Sequence, residues 1–312
     1  MKGLELAESY YNEFGKKMLE EFPGIKDKLA VGLIGSGSEC FGFDDDVSTD
    51  HDFEAGFMIF LPGEDVVSRR DAFLLERAYY KLPKEYMGFT RGFLSPVGGN
   101  RKGVISTADF FAEKTGSPDG NLTVREWLSL PESYLAEATN GKIFCDNYGE
   151  VSAIRKRLAY YPEDVRLKKL AGNIITAAQS GQYNYHRCYK HGEQSAAQLA
   201  VFEFVKSAAA IKFLLEKRYM PFYKWSFKAL RTLPDGEELE KSFNFLTTTP
   251  NDEIFYKKKS EIIENISAKL IEEIKKQNLS DSLSGNLEDH AYKVNGKISD
   301  GNIRNMNIFA GV

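Results

Sequence analysis

The chain has 312 residues, 42% of them hydrophobic, and a formal net charge of −4 from 41 Lys and Arg against 45 Asp and Glu. A single core stops growing at roughly 250–300 residues, so this length points to two domains, and the acidic balance lacks the basic footprint of a duplex-binding protein, so nucleic acid is not favoured as a partner. Three widely spaced cysteines, Cys40, Cys145 and Cys188, without a C-x-x-C pair, together with no secretory leader pattern and no apolar run of the ~18–20 residues a membrane span takes, set the expected location in the cytoplasm with no membrane partner.

Residues 3–22 read as a helix ending before Pro23-Gly24. Leu29 to Gly35 is a short apolar run closed by Gly-Ser-Gly-Ser, which suits a buried strand entering a turn. Asp44-Asp45-Asp46 reads as a polar loop, solvated or capping a helix. Residues 50–61 are expected as a second strand ending at Pro62-Gly63, and 64–81 as a helix. Gly98-Gly99-Asn100 reads as a hairpin turn before a strand at Gly103–Ser106, and Asn140-Gly141 precedes another at Lys142–Cys145. Strands alternating with helices argue for an α/β domain with a mixed sheet over 1–148. From 149 to 312 the pattern is all-α, a helical-bundle domain, with helices expected at 149–159, 163–180, 190–218, 221–232, 236–246 and 252–276 and a loop at 277–287.

The informative segment is Val31-Gly-Leu-Ile-Gly-Ser-Gly-Ser-Glu39, followed by Asp50-His51-Asp52. A dinucleotide fingerprint fails, because Cys40 stands where its third Gly belongs, and a P-loop fails for want of Gly-Lys-Ser/Thr. A strand that ends in Gly35-Ser36 and leads into a short helix presents backbone amides to an anion, with Gly37 and Ser38 completing the turn. Thirteen residues separate Ser36 from Asp50. On a strand, Asp50 and Asp52 share one face roughly 6.5–7 Å apart along the backbone. That pair suits Mg²⁺, which takes a few carboxylates plus substrate phosphate oxygens. His51 points to the other face.

Gly-Ser, a spacer of this length and Asp-x-Asp on a strand resemble the nucleotidyltransferase superfamily that includes DNA polymerase beta and the kanamycin nucleotidyltransferases. The longer string through Gly-Phe-Asp-Asp-Asp, with Asn184-Tyr185 and Tyr219-Met-Pro-Phe-Tyr-Lys-Trp225, is similar to a bacterial domain family within it. The resemblance implies a nucleotidyltransferase-like α/β domain followed by a helical domain. It implies Mg²⁺ at Asp50 and Asp52, an NTP (ATP first) on Gly35, Ser36, Gly37 and Ser38, and transfer of NMP to a hydroxyl of an unidentified small-molecule acceptor with loss of pyrophosphate. Members of the superfamily carry a third carboxylate on a later strand. The Gly103–Ser106 strand has none, and Asp109, just beyond it, is taken as that catalytic acid ahead of Asp146.

Other charged positions have plainer explanations. Glu39, in the first turn of the short helix, suits a dipole contact as well as an active role. Arg69-Arg70 read as solvated, and His186 and His191 do not fit a zinc pattern. In the helical domain, Lys224 beside Trp225 suits a triphosphate or a base, against Trp225 in the bundle core and Lys224 in solvent. Tyr185 and Arg187 are expected to face the acceptor cleft. A second copy of the chain is compatible as a partner. Two function classes follow, a Mg²⁺-dependent nucleotidyltransferase or a nucleotide-binding regulatory protein without turnover.

Overall fold

The apolar residues of the first helix recur on one face and bury Leu6, Ala7, Tyr10, Tyr11, Met18 and Leu19. The helix runs as α1 (Gly3–Tyr10), a π turn at Tyr11–Gly15 and α2 (Lys16–Glu20). The structure, a computed structural model, describes residues 1–45, 54–91 and 102–312. It is predominantly helical and, among the described residues, has a mixed four-stranded sheet and a two-stranded hairpin. It divides into two compact units, Met1–Asn121 with Ser133–Ala159, and Leu122–Glu132 with Tyr160–Val312. Among the described residues, no helix is long and apolar enough to cross a membrane.

In the first unit, β1 (Ala30–Leu33) leads to a four-residue helix α3 (Ser38–Phe41). β2 (Met58–Leu61) follows, then α4 (Arg69–Lys81), a two-residue hairpin of β3 (Glu85–Tyr86) and β4 (Phe89–Thr90), and β5 (Gly103–Ser106). Helices α5 (Thr107–Thr115) and α7 (Glu132–Thr139) precede β6 (Lys142–Asp146), and α8 (Glu150–Arg157) closes the unit. The sheet order is β5-β2-β1-β6. β1 is antiparallel to both neighbours, while β2 and β5 are parallel. All four residues of β1 are buried, as a central strand covered on both faces requires.

Ladder geometry starts at Met58, later than the expected strand over 50–61. Ahead of it, the Tyr79 hydroxyl accepts from Phe57 N at 3.2 Å and donates to Phe57 O at 2.8 Å. A side chain from α4 thus satisfies backbone groups that a longer ladder would have used. Residues 50–53 and the expected hairpin turn at 98–100 lie outside the described residues. The sequence pattern did not reveal the β3–β4 hairpin or helices α5 and α7.

In the second unit, α6 (Val124–Ser129) joins α9 (Glu163–Ala177), α10 (Tyr185–Lys190), α11 (Gln194–Leu215), α12 (Tyr223–Leu230), α13 (Gly236–Thr248), α14 (Glu253–Lys276), α15 (Leu287–Gly296) and α16 (Gly301–Arg304). α9 is the central helix, packed on α11 and α15 and buried continuously from Val165 to Ile175. Its three cations occupy that core because each meets carbonyls at the end of another helix. Arg166 donates to Leu214 O at 3.1 Å, Lys168 to Met306 O at 2.7 Å and Arg304 O at 3.3 Å, and Lys169 to Leu128 O at 3.0 Å. Terminal carbonyls have no intrahelical donor, so a buried cation there answers two needs at once.

The helix expected to stop at Gly181 continues through a π segment (Ala178–Asn184) into α10. Gly181 is there for contact with α11: a Cβ on it would overlap the Phe204 ring. Spacing in sequence does not distinguish a close approach of this kind from a helix break.

Glu132, at the start of α7, belongs to the second unit. Burial pushes its carboxyl up to about 6, against the Lys169 charge and the hydrogen bond it accepts from Met220 N. A raised folded-state pKa means that the folded protein holds this proton more tightly. Stability from it is full below the unfolded value near 4.5 and is lost as pH rises through about 6. Glu132→Gln should therefore stabilise the protein by about 1–2 kcal/mol at pH 8 and by nothing near pH 4.5. Urea unfolding at the two pH values checks this, and an equal effect at both rules it out.

Candidate functional site

β1 runs straight into the Gly-Ser turn. Gly35 is buried with φ +118°, a conformation that glycine alone takes readily. The Asn140 side-chain amide fixes it from both sides. Gly35 N donates to Asn140 Oδ1 at 2.8 Å, and Asn140 Nδ2 donates to Gly35 O at 2.7 Å. One residue on, Gly141 N donates to Cys40 O at 2.8 Å. The turn is tied at each end to the segment entering β6. Ser36 is exposed at its apex, Ser38 is half-buried, and Gly37 and Glu39 are buried. The Asn140-Gly141 dipeptide was legible as a turn, but nothing local marked Asn140 as the clamp on Gly35.

Asn140→Ala removes both amide bonds and leaves Gly35 N without its partner. The expected loss is about 1–3 kcal/mol of stability. Denaturant unfolding measures it, and a change below about 0.5 kcal/mol means that the clamp is solvated rather than structural.

The sheet register decides what shares this end of the fold. Gly32 pairs with Met58 and Met58 with Gly103, so the starts of β2 and β5 lie beside the end of β1. The chain therefore re-enters the sheet from Glu54 at the end that carries the Gly35 turn. Lys102 Nζ donates to Glu54 O there at 2.7 Å. Asp50, His51 and Asp52 lie outside the described residues.

Asp109 is not brought to this end. β5 runs parallel to β2, pairing Ser106 with Leu61, so α5 starts at the opposite end of the sheet. Asp109 is exposed in the first turn of α5, its own N–H donating to Ser106 Oγ at 3.2 Å. Asp146 is at that far end too, opposite Ala30 in register. Its two oxygens accept from Gly149 N at 2.8 Å and Ser152 N at 2.7 Å, which caps α8. In the acidic loop, Asp44 is buried and accepts from Gly3 N at 2.8 Å, capping α1 from across the chain, while Asp45 is exposed.

In the second unit, the expectation that Tyr185 lines a cleft is corrected. Tyr185 is 1% exposed, and its hydroxyl donates to Asn251 Oδ1 at 3.2 Å. Because the π segment keeps the helix going, this residue turns inward instead of standing in a loop. Arg187 is exposed, with its guanidinium 5.0 Å over the Tyr183 ring and one N–H on the Tyr183 hydroxyl. Lys224 is exposed with its ammonium 5.0 Å from the Trp225 ring, and Lys228 lies 5.5 Å from the same ring. Trp225 is half-buried and stands outside the bundle core.

Residues 127–226 match a family described as a domain of unknown function, DUF4037. No curated protein and no solved structure matches the chain.

Proposed function

We propose that the protein is a nucleotidyltransferase of the polymerase beta-like superfamily, moving NMP from an NTP, ATP first, to a hydroxyl of a small-molecule acceptor. The observation that carries this reading is the turn itself. Gly35, at φ +118°, is clamped by Asn140 at the sheet end from which the chain re-enters β2, after the segment bearing Asp50 and Asp52. A preset turn spends no binding energy on ordering when phosphate arrives.

In this reading, Gly35 to Ser38 receive the triphosphate, with the exposed Ser36 hydroxyl adding one hydrogen bond. Asp50 and Asp52 hold Mg²⁺, which when bound neutralises phosphate charge and stabilises the leaving oxygen. Catalysis is then mainly positioning and charge neutralisation. The second reading, a nucleotide-binding regulatory protein without turnover, draws on Asp109 and Asp146 standing at the far end of the sheet from Gly35.

The experiment is a titration of Mg·ATP into the full chain with a coupled assay for pyrophosphate. Binding with pyrophosphate release on addition of hydroxyl-bearing acceptors supports transfer. Binding without release supports the regulatory reading. Absence of Mg-dependent binding removes both.

A further inference from the structure

We infer that Arg155 is a positioning residue of the Gly35–Ser38 turn, a fixed positive charge behind the Asn140 clamp that the phosphates of a bound nucleotide compensate. The inference rests on the proposed nucleotide reading. Arg155 lies in the last turn of α8, is half-buried and reaches the segment that holds the turn, where its Nη2 donates to Thr139 O at 2.7 Å. The next residue, Asn140, makes both amide bonds to Gly35, and Gly141 N donates to Cys40 O in α3. The guanidinium is also close enough to Cys40 for their charges to interact. It therefore stands where the clamp meets the short helix, behind the turn proposed to receive the phosphates.

What marks Arg155 is its other terminal nitrogen. Nη1 is closed to solvent and, among the described residues, has no hydrogen-bond partner, and no carboxylate pairs with the guanidinium. Burial disfavours its charge, and Cys40 is the group that works against that effect. Buried cations of the second unit are answered differently. Arg166 meets Glu163 and Leu214 O, Lys212 meets Glu216 and Glu273, and Lys259 meets Gln198, Asn251 and Thr249 O. Holding Thr139 O takes one N–H, which a neutral amide also offers. Arg155 adds a charge that its surroundings do not balance, and such a charge is costly away from water. An anion on the turn balances it, and the attraction is stronger there than at the surface because the local dielectric is lower. Since Nη1 is enclosed, Arg155 acts on phosphate through space and through the clamp, without touching it.

The test is calorimetric titration of inorganic triphosphate and of Mg·ATP into the full chain, for wild type, Arg155→Gln and Arg155→Lys, with ligand-free melting temperatures. Glutamine keeps an N–H for Thr139 O and removes the charge, whereas lysine keeps the charge. Arg155→Gln should weaken both ligands at least about fivefold, and Arg155→Lys should bind more tightly than Arg155→Gln. The loss in Arg155→Gln should persist at about 0.5 M salt, because a buried charge is screened less than an exposed one. Its ligand-free melting temperature should stay level or rise, since an uncompensated charge is gone. A loss smaller than about fivefold, or one that vanishes in salt, overturns the inference. Equal losses in the two variants with lowered melting temperatures mark a packing role and overturn it as well. If wild type and Arg155→Gln bind both ligands equally, the nucleotide reading stands and the role of Arg155 falls. If wild type binds neither ligand, both fall.

Discussion

Calorimetric titration of Mg·ATP into Asp52→Asn is expected to show binding weakened more than about 100-fold, beyond the upper range that loss of an outer-shell partner causes at metal sites. The reason is charge. In the proposed site, two carboxylates that share one cation repel each other until it arrives, and the affinity for Mg²⁺ comes from relief of that repulsion as well as from direct coordination. Taking away one charge removes both contributions. It also removes the repulsion from the metal-free protein, so its melting temperature should stay level or rise. Affinity equal to that of wild type would eliminate Asp52 as a metal ligand and with it the proposed chemistry. A fall in affinity accompanied by a fall in metal-free stability would assign Asp52 to the fold instead.

Gly35→Val should damage nucleotide binding more than Ser36→Ala. Sequence alone points to obstruction by the larger side chain, whereas the structure locates the penalty in the backbone. The nearest atom to a Cβ built on Gly35 is Phe110 Cε2, 3.9 Å away, so there is room for it. The φ of +118° is what valine cannot hold without strain of about 1–3 kcal/mol. The turn is expected to relax and to pull against the Asn140 amide, at a cost to stability and affinity together. Ser36 is exposed, and its hydroxyl offers one hydrogen bond worth about 1 kcal/mol. Gly35→Ala separates strain from bulk, since it should cost most of what valine costs. If Ser36→Ala proves the more harmful in nucleotide titration, the turn does not act through its backbone and the cradle account is wrong.

Much of the fold was legible because its signals are local. The apolar run before Gly35 became β1, and the three- and four-residue recurrence of Ile262, Ile263, Ile266 and Leu270 became part of α14. Helices α15 and α16 and the segment 107–139 were not recognised. In α15, only Leu287, His290, Ala291 and Val294 are buried along a short helix, a stripe too brief to stand out from the polar loop before it. The division of the chain was less legible still. Residues 122–132 group with the second unit, where Trp127 packs edge-on against Tyr161 and Leu128 O receives Lys169. These partners are more than thirty residues away in the chain, and no local pattern announces them.

The candidate site divides in the same way. By itself, the sequence determined the Gly-Ser turn after a buried strand and the helical second half, because each follows from backbone freedom or periodicity over a few residues. Only the tertiary structure decided which acids share an end of the sheet with that turn. Parallel pairing of β2 with β5 carries Asp109 to the far end, and antiparallel pairing of β1 with β6 carries Asp146 there and brings Asn140 onto Gly35. Strand direction is set by pairing partners far apart in the chain. The same holds for Tyr185, which the continuing helix turns into the core although nothing in its own segment announces it.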